Sequence, residues 1–124
     1  MNETNNQALR GQIAKKLMEI GITPGTTGYY GLVEAVDIAY PNPARIARNG
    51  MTTILYPEVA KRLDTTPTRA ERCIRHSIEI LYNTSGPDDL KIFGKMADIN
   101  KGKMTNTAFI CSVAQMLRIE NGEV

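Results

Sequence analysis

The apolar residues of this chain recur at three- and four-residue steps, the spacing that gathers side chains on one side of a helix, so the pattern predicts an all-α fold. Leu9, Ile13, Leu17 and Ile20 mark a first helix that stops at Gly21, with Lys15 and Lys16 turned to water near its end. Residues 22–28, carrying Pro24 and Gly25, read as a turn. Tyr29, Leu32, Val33, Val36 and Tyr40 mark a second helix closed by Pro41 and Pro43, its tyrosines packing the core and its edge rather than stacking on bases. Residues 44–48 allow one short helical turn. Val59, Ala60 and Leu63 then give a short helix one apolar edge, with Pro57 in its first turn, where a missing N–H costs nothing. Asp64, Thr65 and Thr66 break the pattern. With Thr66 as N-cap and Pro67 as first residue, a longer helix runs over 67–83, and its Ala70, Cys73, Ile74, Ser77, Ile78 and Leu81 form one buried stripe. Ser85, Gly86 and Pro87 end it. A short helix with an acidic first turn is expected over 87–93, and then a polar loop with Lys95, Lys101 and Lys103. Thr105 or Asn106 caps a last helix that turns Phe109, Val113, Met116 and Leu117 inward. The expectation is a compact bundle of about six helices over 8–120, with a disordered tail at 1–7 and a short tail at 121–124.

Short helix, tight turn and longer helix over 59–81 make the layout of a helix-turn-helix DNA reader. Opposite the buried stripe of the longer helix lie Thr68, Arg72, Arg75 and Glu79, with Arg69, Glu71 and His76 on the shoulders. All three arginines fall in its N-terminal part, the end that such a helix inserts into the major groove. An arginine fork matches guanine O6 and N7, and a glutamate accepts from cytosine N4. Glu71, Arg72 and Arg75 are therefore the candidate base contacts, and Thr68, Arg69 and His76 the candidate phosphate or flanking contacts. Glu71 and Arg75, four apart, also suit a plain surface ion pair. Lys101 and Lys103 could neutralise phosphates or simply be solvated, and the same choice holds for Arg45 and Arg48.

Charge changes this picture little. At 124 residues with a formal net charge of +2, the chain suits one domain whose DNA affinity comes from where its charges sit and not from their sum. Cys73 and Cys111, far apart and each within an apolar helical pattern, read as small buried hydrophobes. They offer no metal-ligand spacing. The single histidine, His76, has no activatable serine or cysteine at a motif spacing, so neither an enzyme nor a cofactor or metal site is expected. No run approaches a bilayer-spanning length and no signal segment follows Met1, which predicts a cytoplasmic, nucleoid-associated protein.

The run ILYPEVAKRLDTTPTRAERCIRHSIEIL, followed by TNTAFICSVAQMLRIE, resembles the C-terminal effector domain of the stage-zero sporulation protein A family of response regulators. The similarity extends over about 8–120 and is densest at RAERCIRHSIEI. It implies a DNA-binding transcription regulator of sporulation-type genes, bound to double-stranded promoter DNA at a TGTCGAA-like box as a tandem, head-to-tail pair. Glu71, Arg72 and Arg75 take the family's base-contacting positions, and Arg69 and His76 its flanking ones. The resemblance also implies that residues 79–95 face RNA polymerase sigma factor and that part of the last helix touches a neighbouring copy. Thr68 and Pro67 depart from the smaller residues expected there. The family's full-length members carry an N-terminal receiver domain, for which MNETNNQ leaves no room, so the chain reads as an excised effector domain or a receiver-less paralogue. A different class of reading is a receiver-less interaction module that binds sigma factor or a full-length partner without touching DNA. Such a module would not need the arginine face.

Overall fold

The computed structural model describes residues 3–86, 90–94 and 104–123. They are helical almost throughout, with no strand among them. Helix α1 spans Glu3–Ile20, α2 Thr27–Ala39 and α3 Pro43–Arg45; a π-helical stretch covers Ile46–Leu55; α4 spans Tyr56–Arg62, α5 Pro67–Thr84 and α6 Asn106–Glu120. Residues 90–94 form a 3₁₀ turn. The rest of the short helix expected over 87–93 lies outside the described residues.

Local signals account for most of the boundaries. The first helix ends at Gly21, which takes φ 123°, with Gly21 N and Ile22 N both donating to the Leu17 carbonyl. Thr26, Asn42, Thr66 and Thr105 each accept a backbone N–H three residues on, capping α2, α3, α5 and α6. Helix α1 starts at Glu3, ahead of the Ala8 at which the sequence reading opens the domain, because nothing in 3–7 breaks a helix once its later turns are packed. Residues 44–48 are not an isolated turn. They run into the π-helical stretch, where Asn49 leaves helical geometry (φ −158°, ψ 18°) and kinks the chain toward α4.

One core joins all the helices. Ile13 and Leu17 from α1, Leu32 and Val36 from α2, Leu55 from the π-helical stretch, Ile74 and Ile78 from α5, and Phe109, Ile110 and Leu117 from α6 are buried together. Phe93 of the 3₁₀ turn meets Phe109 with ring centroids 5.2 Å apart. Met116, expected inside, is only half-buried, while Ile110 and Ala114 take the inward positions beside Phe109 and Val113. Cys73 and Cys111 are free thiols and half-buried rather than buried. Burial pushes the Cys111 thiol up, so it is a poor nucleophile.

Charged side chains brace the same frame from outside. Glu34, on α2, is buried and accepts from Arg10 of α1 and from Arg62 of α4, whose Nη1 also lies 2.7 Å from Asp37. At the far end, Arg118 donates to the carbonyls of Tyr40 and Pro41 and sits over the Tyr40 ring, while the Tyr40 hydroxyl contacts Glu123 and Asn121. Lys16 does not face water as expected: its ammonium pairs with Glu120 of α6 at 2.8 Å.

Candidate nucleic-acid interface

Helices α4 and α5 are joined by a turn whose geometry is fixed by the backbone. Thr65 N donates to the Ala60 carbonyl (2.9 Å) and Asp64 N to that of Lys61 (3.4 Å), the paired bonds of a helix ending that needs a left-handed residue between them. Asp64 is that residue, at φ 53°. Thr66 then receives Arg69 N on its hydroxyl, and Pro67 opens α5.

The back of α5 lies on α2. Gly28 allows the approach: a Cβ there would come within 1.7 Å of Ser77 Oγ and 2.7 Å of the Cys73 carbonyl. One turn on, a Cβ at Gly31 would stand 3.2 Å from Ile74. Ala70, Ile74, Ile78 and Leu81 are buried in this seam, with Cys73 and Ser77 at its half-exposed edge. The stripe read from the sequence is the buried one.

The opposite face is open. Thr68, Arg69, Arg72, Arg75 and His76 are exposed and Glu71 is half-exposed. Among the described residues, the side chains of Arg69, Arg72 and His76 make no ion pair or hydrogen bond within the protein. Arg75 differs: its Nε donates to Glu71 Oε2 at 2.9 Å, and its Nη1 lies 3.8 Å from Glu79. The surface ion pair weighed in the sequence thus exists, between two of the three candidate base contacts. Glu71 is also approached from α6, since Asn106 Nδ2 stands 3.5 Å from its Oε2 and 3.0 Å from the Tyr56 hydroxyl. Burial pushes the Tyr56 phenol up, opposed by the Asn106 hydrogen bond and reinforced by the Glu71 charge.

Lys101 and Lys103 lie outside the described residues, and Arg45 and Arg48 are exposed around the start of the π-helical stretch. Sequence reading missed Arg62, which ties the first helix of the motif to α2, and it missed Asn106 and Tyr56 beside Glu71. No periodic signal identifies these, because each works through a partner distant in the chain. A mostly apolar groove of about 430 Å³ runs beside the seam, lined by residues such as Ile22, Thr27, Cys73, His76 and Ile80. No three metal-ligating side chains cluster among the described residues, and none of their helices is long and apolar enough to cross a membrane.

A frame that buries one side of α5 and leaves arginines unpartnered on the other agrees with what the family comparison finds. Residues 13–117 match the family model described as sporulation initiation factor Spo0A, C terminal. The match covers most of the chain, which therefore belongs to this family of DNA-binding effector domains of sporulation regulators.

Proposed function

We propose, with that family membership as the premise, that this chain reads a specific promoter sequence by inserting α5 into the major groove. Arg72 and Arg75 would meet guanines and Glu71 the cytosine side, with Thr68, Arg69 and His76 on phosphates or flanking bases. Lys101 and Lys103 are proposed as further phosphate contacts. The observation that carries the reading is Arg72: exposed, without a partner among the described residues, in the N-terminal half of a helix whose other side is locked into the core. Arg75 and Glu71 start paired with each other, so base contact exchanges one charge-assisted bond for another.

Tandem, head-to-tail binding of two copies on DNA in the cytoplasm is proposed on the same membership. Contact of 79–95 with RNA polymerase sigma factor is proposed on the same membership, and Ile80 and Ile92, 44% and 49% exposed, are the apolar side chains within that range that a partner could cover. The domain is taken as 8–120.

Anisotropy titration on a duplex carrying a TGTCGAA-like box, against a scrambled duplex and across a salt series, tests the reading. Arg72→Ala should weaken the box by about 1–3 kcal/mol, flatten preference at one base and leave the scrambled duplex far less affected. Equal affinity of Arg72→Ala and parent for the box would reject the assignment.

A further inference from the structure

Three helices meet at one polar point beside the reading face. Asn106, the first residue of α6, donates from Nδ2 to the hydroxyl of Tyr56, the first residue of α4, at 3.0 Å. The same nitrogen lies 3.5 Å from Glu71 Oε2 and 3.5 Å from the Glu71 carbonyl on α5. Capping of α6 is done by Thr105, so the Asn106 amide is not used by its own helix end. It is half-buried and aimed at α5 instead.

The geometry matters because Glu71 is long and its other partner, Arg75, is longer and exposed. A carboxylate held only by a mobile guanidinium samples many rotamers, whereas one also approached by Asn106, itself fixed by the Tyr56 hydroxyl at the start of α4, keeps a single height above the groove edge. Arg75, gripping the same carboxylate, is placed with it.

We infer that Asn106 and Tyr56 are positioning residues for base selection, setting where Glu71 and Arg75 present their polar atoms although neither touches DNA. This rests on the DNA reading proposed above. It makes selectivity at the Glu71 position depend on how α6 is seated, while Arg72, which has no bond to this cluster, is independent of it.

Selection of bound sequences from a random duplex library, followed by titration of the selected and scrambled duplexes, tests it. Asn106→Ala and Tyr56→Phe should each lose about fivefold preference at the position read by Glu71, the lower end of what one polar base contact gives. Affinity for scrambled duplex and the salt slope should stay at parent values, since phosphate contacts are untouched. Adding Asn106→Ala to Glu71→Ala should change nothing further, whereas a general loosening of the fold would add to it. Tyr56→Phe removes a single oxygen, so it keeps the test decisive if Asn106→Ala folds poorly. Unchanged preference in Asn106→Ala and Tyr56→Phe, or equal weakening of selected and scrambled duplexes, overturns the inference while leaving the DNA reading intact. A parent that selects no sequence rejects the DNA reading, and the inference with it.

Discussion

Arginines occupy two regions of this molecule and do opposite things in them. Away from the outer face of α5, Arg10 of α1 and Arg62 of α4 converge on Glu34 of α2, and Arg118 of α6 is taken up by two backbone carbonyls and the Tyr40 ring. On the outer face of α5, Arg69 and Arg72 have no partner among the described residues, and Arg75 has only the half-exposed Glu71 and Glu79. The first set closes helix to helix. A second set left open in the same small domain gains the protein nothing in stability, since an exposed charge contributes little to folding. Its value lies in what it can meet outside. Residue type alone does not separate a brace from a reader; the partner does.

The two regions touch along the Gly28–Ser77 seam, and the largest effect is expected there. Gly28→Val would drive its side chain into Ser77 and the Cys73 backbone, atoms that cannot move without shifting α5. Unfolding in urea should show a loss of about 3 kcal/mol, at the upper end for overpacking. Retained parental stability would mean that α5 does not lie against α2 as described.

Next comes the brace. Glu34→Ala removes the buried carboxylate between Arg10 and Arg62 and leaves both guanidiniums only the more exposed Asp37, so it should cost about 2 kcal/mol, below the fully buried range because both arginines are part-exposed and Asp37 remains. Arg72→Ala should stay within about 0.5 kcal/mol of the parent in the same assay. If the two variants were equally destabilised, the division into braces and readers would fail.

That brace also has a pH signature. Burial pushes the Glu34 carboxyl up, but the hydrogen bonds and charges of Arg10 and Arg62 outweigh it and hold the group below the ordinary carboxylate range. A lowered folded value means that the stabilisation is complete above the unfolded value of about 4.3 and is lost as pH falls through the folded one. Stability of the parent and of Glu34→Gln should therefore differ at neutral pH and converge in acid. Parallel pH curves would remove Glu34 as the source.

Much of this was legible beforehand, and the legible part is local. The Thr66–Pro67 start, the Gly21 stop and the α5 stripe are each written within a few residues, as is the arginine face opposite that stripe. What escaped is of two kinds. The stretch Ile46–Leu55 winds with i→i+5 bonds and a kink at Asn49, and the spacing of apolar residues does not announce either the wider winding or the break in it. The others depend on contacts between distant positions: Lys16 reads as solvated until Glu120 is placed beside it, and Asn106 reads as a cap until Tyr56 and Glu71 are. Sequence periodicity reports which side of a helix is buried, and carries no information on which charge on the other side finds a partner.

The smallest effect has the opposite sign. Asp64 sits at φ 53° in the turn between α4 and α5, where a side-chain-bearing residue pays about 1–2 kcal/mol for the left-handed conformation, somewhat less for aspartate. Glycine removes that cost but gives the unfolded chain more freedom, worth about 0.5–1 kcal/mol against it. The difference leaves Asp64→Gly stabilising by about 0.5 kcal/mol. The Thr65–Ala60 and Asp64–Lys61 backbone bonds already hold the turn, so the angle between α4 and α5 should not change. Urea unfolding should therefore register a small gain, while affinity for the box duplex should rise only slightly, as expected where one acidic charge is removed near phosphates. A large change in sequence preference would instead mean that Asp64 itself faces the bases, and the boundary between frame and reading face would have to move into the turn.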